Sequence, residues 1–173
     1  MTRDTASRKI SVLIVDDEQH FLSALRHILE VREFDVVTVD RGDKAIDAAR
    51  QTPFDIALVD LKMPGMDGDE TLRTLKAEHP EMEVVILSGH GSKDAAAACL
   101  KSGAMAYLYK PCQLNELLAV LADAYREKVM GRHKMTTRQM DDLLGVSPPG
   151  SPMAVLRRLR ELDATAPKRE GQS

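Results

Sequence analysis

Acidic side chains crowd two short stretches of this 173-residue chain: Asp16, Asp17 and Glu18 close the run LIVDDE at residues 13–18, and Asp60 closes DIALVD at residues 55–60. Carboxylates brought close together repel and raise one another's pKa, so such a group calls for compensation. A hard divalent cation supplies it, and one that accepts one or two carboxylates, keeps several waters and carries phosphate describes Mg2+. Two more groups stand at the ends of later apolar runs, Ser88 in ILSGHG and Lys110 in YLYKP. A metal held by acids, a carboxylate nucleophile at Asp60, and a lysine and a hydroxyl to hold the moving oxygens make a set for phosphoryl transfer. Each piece alone has a plainer use. An acid pair after a strand can cap the next helix, while Lys-Pro and Ser-Gly are ordinary turn chemistry. A shared location is what separates the two readings.

The elements that must position these residues follow from periodicity. Five apolar runs, ISVLIV (10–15), DVVTV (35–39), DIALVD (55–60), EVVILS (83–88) and AMAYLY (104–109), alternate with five segments of helical period. Crossovers of this length predict an α/β fold, a doubly wound five-stranded parallel sheet with five helices. Runs one, three and four are almost wholly apolar, which marks them as central strands. In such sheets functional groups gather at the C-terminal strand edge, and that rule puts LIVDDE, LVDLKMPG, ILSGHG and YLYKP on one rim.

Composition bounds the rest. The chain carries 24 basic and 27 acidic side chains, a net charge of −3, with no overall pull toward nucleic acid or an anionic membrane. With three Tyr, three Phe and no Trp, its core must be mainly aliphatic. The two cysteines, Cys99 and Cys112, form neither a disulfide framework nor a CxxC pattern, and no signal-peptide core or spanning run is apparent. A cytoplasmic protein is expected, with Cys99 as a buried small hydrophobe.

Together VDDE, LVDLKMPGMDG, LSGHG and YLYKP, at their spacings, closely resemble the receiver domain of bacterial two-component response regulators, from about Lys9 to about Lys128. The resemblance implies a flavodoxin-like strand order 2-1-3-4-5 and a signalling switch that catalyses only its own phosphorylation and dephosphorylation. It implies that Asp60 is phosphorylated by a partner histidine kinase. Asp17 and Asp60 become Mg2+ ligands, joined by the backbone carbonyl of Lys62, with Asp16 contributing through water. Lys110 pairs with the phosphoryl group, Ser88 is the switch hydroxyl, and Tyr107 is the aromatic side chain that turns inward afterward. Output to a downstream protein is expected through helix 4, strand 5 and helix 5. Lys62 and His90, two residues beyond acceptor and switch, are expected to govern the lifetime of the phosphate. Cys112 departs from the pattern, since an aromatic residue is commoner there. A Mg2+-dependent phosphatase would instead set two acids two residues apart on strand one, with the nucleophile there.

The chain thus divides into a disordered N-terminus (1–8), a receiver domain (9–128) and a basic, proline-containing helical tail (129–173), partly disordered from about Ala164. Residues 125–173 carry ten basic against six acidic side chains. Thr136 and Gln139 form a capping-box signature for a helix ending near Gly145. Ser151-Pro152 opens a second helix with an apolar stripe of Val155, Leu159 and Leu162. Over 136–163 the tail weakly resembles a helix-turn-helix, so the alternative function is a transcription regulator with a degenerate DNA-binding tail. SPPGSP disrupts the tight turn that motif needs. Packing on the receiver, pairing of two copies into a homodimer, or binding of a partner is therefore expected ahead of DNA.

Overall fold

Strand formation follows the apolar runs closely, in a computed structural model that describes residues 8–89, 91–145 and 150–165. The order is β1 (Ser11–Val15), α1 (Gln19–Glu30), β2 (Asp35–Val39), α2 (Gly42–Gln51), β3 (Ile56–Val59), α3 (Gly68–Glu78), β4 (Glu83–Ser88), α4 (Lys93–Lys101), β5 (Ala106–Tyr109), α5 (Leu114–His133), α6 (Thr137–Leu144) and α7 (Pro152–Thr165). All strand pairs are parallel, in the order β2-β1-β3-β4-β5. Every residue of β1 and β3 is buried, as central strands covered on both faces require. The expected disorder at the N-terminus and the C-terminal end falls largely outside the described residues, as does His90, but Ala164 and Thr165, where the C-terminal disorder is expected to begin, continue α7.

Period-two alternation divides the core into two layers. Val12, Ile14, Ile56, Leu58, Val85 and Leu87 face the side covered by α1 and α5. Leu13, Val15, Ala57, Val59, Val84 and Ile86 face α2 and α3, and Cys99 of α4 is buried in that same layer. Burial also lifts the Cys99 thiol above its usual range, consistent with a packing role.

The tail is built onto this body. Helix α5 passes residue 128 without a break and stops at Lys134, whose φ of 52° is left-handed. Thr136 and Gln139 form a complete capping box at the start of α6, and Gly145 caps its end. Helix α7 packs on α5 through Leu156 and Leu159, both fully buried, together with Met140 of α6. The apolar stripe is thus centred on Leu156 and Leu159, with Val155 and Leu162 only half-buried at its margins. Arg160 of α7 reaches the body as well: its guanidinium sits 3.5 Å from Glu33 and donates to the Arg8 carbonyl at 3.4 Å.

At the N-terminal edge of the sheet, Asp55 anchors a charged network that joins body to tail. Its buried carboxylate accepts from the backbone N–H and hydroxyl of Ser11 at 2.9 and 3.1 Å and pairs with Arg8 (2.8 Å), Lys128 (3.2 Å) and Arg132 (3.5 Å). Arg132 also pairs with Asp163 of α7, which accepts from the Tyr125 hydroxyl at 2.9 Å and lies 2.9 Å from His133 Nε2. Burial would raise both carboxyls, but the Ser11, Lys128 and Arg8 contacts hold Asp55 below the usual range. Bonds from His133, Tyr125 and Arg132 do the same for Asp163.

Candidate functional site

Ladder hydrogen bonds bring the chemistry-bearing residues to one level. The Asp16 N–H donates to Val39 O at 3.1 Å, the Asp60 N–H to Val15 O at 2.9 Å, and the Lys110 N–H to Ser88 O at 2.9 Å. Each is the last rung before the chain leaves the sheet, so all four strands that carry them discharge their side chains at the same C-terminal edge.

After Asp60 the chain must turn sharply and re-enter a helix. Gly65 takes a φ of +79°, and Asp67 caps α3 by accepting from the Glu70 N–H at 2.9 Å. The Gly68 N–H donates to Leu61 O at 2.9 Å. A Cβ on Gly68 would lie 2.2 Å from the Asp60 carbonyl oxygen, so this entry needs glycine because backbone meets backbone there.

The three carboxylates converge as the spacing predicts. Oxygen atoms of Asp16, Asp17 and Asp60 lie within 4.8 Å of one another, with Asp16 and Asp60 buried and Asp17 exposed. Neither aspartate caps α1: the N-cap is Glu18, which makes no side-chain cap bond. Asp16 Oδ1 accepts from the Glu18 N–H at 2.9 Å, and its Oδ2 pairs with Lys110. Burial, and then the charges of Asp16 and Asp17, push the Asp60 carboxyl above its usual range, while a bond from Ser88 and the Lys110 charge pull it back. Its buried Oδ1 receives no hydrogen bond from any described residue. A hard cation fits this donor set: acceptor-only oxygens, excess negative charge, and one lone oxygen without a donor.

Lys110 is only 14% exposed and is joined to Pro111 by a cis peptide bond at the head of the loop into α5. Its ammonium also lies 3.9 Å from Glu18 and 4.0 Å from the centroid of the Phe21 ring. Ser88 is fully buried, and its hydroxyl acts on both neighbours, lowering the Asp60 carboxyl and the Tyr107 phenol. Burial, the larger influence, raises the Tyr107 phenol. The half-buried ring is in tilted contact with Tyr109, the ring centroids 5.0 Å apart. Gly91, at φ +142°, makes room: a Cβ there would sit 2.1 Å from the Tyr107 hydroxyl.

Asp16, Asp17, Asp60, Ser88, Tyr107 and Lys110 are therefore brought together. Lys62 is exposed on the acceptor loop beside Met63 and Asp67, and His90 lies outside the described residues. Sequence reasoning missed Phe21 and Gly91 and gave Gly68 only as part of the motif. The helix-entry Asp-Gly pair was a usable signal for Gly68, but Phe21 meets Lys110 only because α1 folds against the loop after β5.

The family model of the response regulator receiver domain matches residues 12–122. The transcriptional regulatory protein ZraR of Escherichia coli (strain K12) is 31% identical over 169 residues, covering 96% of this chain and 36% of that protein. A receiver domain protein (CheY-like) from Methanospirillum hungatei JF-1 superposes with a TM-score of 0.68 at 28% identity, over 70% of this chain and 97% of that one. The beryllofluoride-activated NtrC4 receiver domain dimer gives 0.65 at 31% identity, over 68% and 98%. The chain spans about a third of the length of the curated relatives it matches.

Proposed function

This chain belongs to the response regulator receiver family, and from that membership we propose that Asp60 is the phosphoryl acceptor of a Mg2+-dependent switch. An Asp60 carboxylate oxygen attacks the phosphorus of a phosphohistidine on a partner histidine kinase. The P–N bond breaks, a mixed anhydride forms, and the imidazole leaves with its electron pair and takes up a proton. Asp17, Asp60 and the Lys62 carbonyl would hold the ion, with Asp16 contributing through water. The ion, when bound, neutralises charge on the phosphoryl oxygens. Lys110 moves its pairing from Asp16 to the phosphoryl group, and Ser88 donates to a phosphoryl oxygen. Tyr107 follows Ser88, while Lys62 and His90 tune attack by water. The observation that supports this reading best is a buried Asp60 with one undonated oxygen, clustered with the carboxylates of Asp16 and Asp17.

The added group carries about 1.5 to 2 negative charges. A coupling of about 1 to 3 kcal/mol suffices to change partner affinity. Output runs through the α4–β5–α5 face, where Leu100 and Tyr109 are each 48% exposed, toward a downstream protein in the cytoplasm or a second copy of the chain. No described helix is long and apolar enough to cross a membrane. A second reading, DNA regulation through residues 136–163, draws on the name of the ZraR relative. Against it stands the commitment of Leu156 and Leu159 to α5.

Incubation with acetyl phosphate and Mg2+ should add one phosphoryl group to the wild type, seen by intact mass, and none to Asp60→Asn. Labelling that persists in Asp60→Asn, or fails without dependence on Mg2+, refutes the acceptor assignment. Salt-dependent, sequence-selective DNA binding by the intact chain would favour the second reading.

A further inference from the structure

The aromatic ring beneath Lys110 has no part in the chemistry described so far. Phe21 lies in the first turn of α1, half-buried against the core that α1 and α5 share. Its face lies 4.0 Å from the Lys110 ammonium, which also pairs with Asp16. Both residues line one groove with Pro111, Cys112 and Leu114. Cys112 in the same lining offers no ring face.

We propose that Phe21 is a positioning residue for phosphoryl transfer, holding the Lys110 ammonium at the pocket rim by a cation–π contact while its carboxylate partner is exchanged. The inference rests on Asp60 being the acceptor. Asp16 must give up Lys110 for the lysine to meet the phosphoryl oxygens, and in that interval a free lysine would sample the open groove. A ring face attracts the cation without offering a proton acceptor or a competing negative charge. It keeps the ammonium near the reacting atoms and leaves it fully available to the incoming group. Glu18, 64% exposed and 3.9 Å away, cannot do this alone, because water screens it.

Leucine at position 21 preserves apolar bulk and removes the ring; tyrosine preserves the ring. With acetyl phosphate and Mg2+, Phe21→Leu should label Asp60 about 3 to 10 times more slowly than wild type, the range expected for loss of a partly buried cation–π contact. Phe21→Tyr should remain within about twofold of wild type, the smaller change expected when the ring face is retained. Proton NMR supplies a readout that packing alone would not move: the Lys110 ε-methylene resonance should be ring-shifted upfield in wild type and Phe21→Tyr, and lose that shift in Phe21→Leu. Equal labelling rates for wild type and Phe21→Leu overturn the proposal, as does equal slowing of both variants or an unshifted Lys110 methylene in the wild type. A wild type that stays unlabelled overturns the acceptor assignment itself and the positioning role with it.

Discussion

Asp60 is ionised at a cost to the fold. A carboxyl whose pKa is raised on folding holds its proton more tightly in the native state. Its favourable contribution is complete below the unfolded value of about 3.8 and is lost as pH rises through the higher folded value. At pH 7 the charge therefore destabilises the native state, and an undonated buried oxygen adds about 1 to 3 kcal/mol. Asp60→Asn should melt higher than wild type at pH 7, by roughly 2–4 °C for each kcal/mol recovered. Its advantage should shrink as pH falls through the raised folded value and be gone below about 3.8. Millimolar Mg2+ should raise the melting temperature of the wild type and leave Asp60→Asn nearly unchanged. Thermal scans at several pH values with and without Mg2+ decide both points. A variant that melts lower at pH 7 would mean that Asp60 has partners unlike those described.

Among the elements, the strand–loop junctions carry the tightest geometry. Gly68→Ala drives a methyl group into the Asp60 and Leu61 backbone, at 2.2 and 2.6 Å, where no side chain can yield. We expect a loss of about 1 to 3 kcal/mol or more in urea unfolding. Gly91→Ala instead meets the mobile end of Tyr107. Its expected effect is local: the ring leaves the space beside Gly91 and its phenol titrates closer to an ordinary tyrosine, as an NMR pH titration of Tyr107 would show. How much of this was legible differs by element. The strands read directly from the sequence because burial on both faces leaves nearly uninterrupted apolar runs, and Asp16, Asp17, Asp60, Ser88 and Lys110 each end such a run. The α6 capping box read equally well, being a contact within three residues. Helix α7 was placed correctly but its inner face was centred one position early, since Val155 and Leu156 are both apolar and only the α5 surface selects between them. The Phe21 contact and the Asp55–Asp163 network join segments far apart in the chain, and no local pattern announces a long-range ion pair.

For the molecule as a whole, the tail belongs to the cooperative fold. Met140, Leu156 and Leu159 are completely buried, and each large apolar side chain removed from water is worth about 1.5 to 3 kcal/mol. A chain stopped after His133 should unfold at a clearly lower denaturant concentration than the full chain. Asp55→Ala leaves Lys128, 8% exposed, without its counter-charge and should cost about 3 to 5 kcal/mol by the same measurement. Both Asp55 and Asp163 have depressed pKa values, so the stability they confer is present above about 3.8 and is lost as pH falls through their folded values. Hydrogen exchange across α7 should therefore accelerate below about pH 4, before the sheet itself opens.

Helix α5 spans 20 residues, from just beyond the Lys110-Pro111 loop to the Asp163 cluster. At 1.5 Å per residue that is a stiff rod of about 30 Å. Pivoted at its upper end by about 5°, it sweeps its lower end through about 3 Å, the width of one hydrogen bond. A fluorophore pair straddling His133 and α7 would thus act as a magnifying needle, reading events at the opposite pole of the sheet that are themselves too small to resolve.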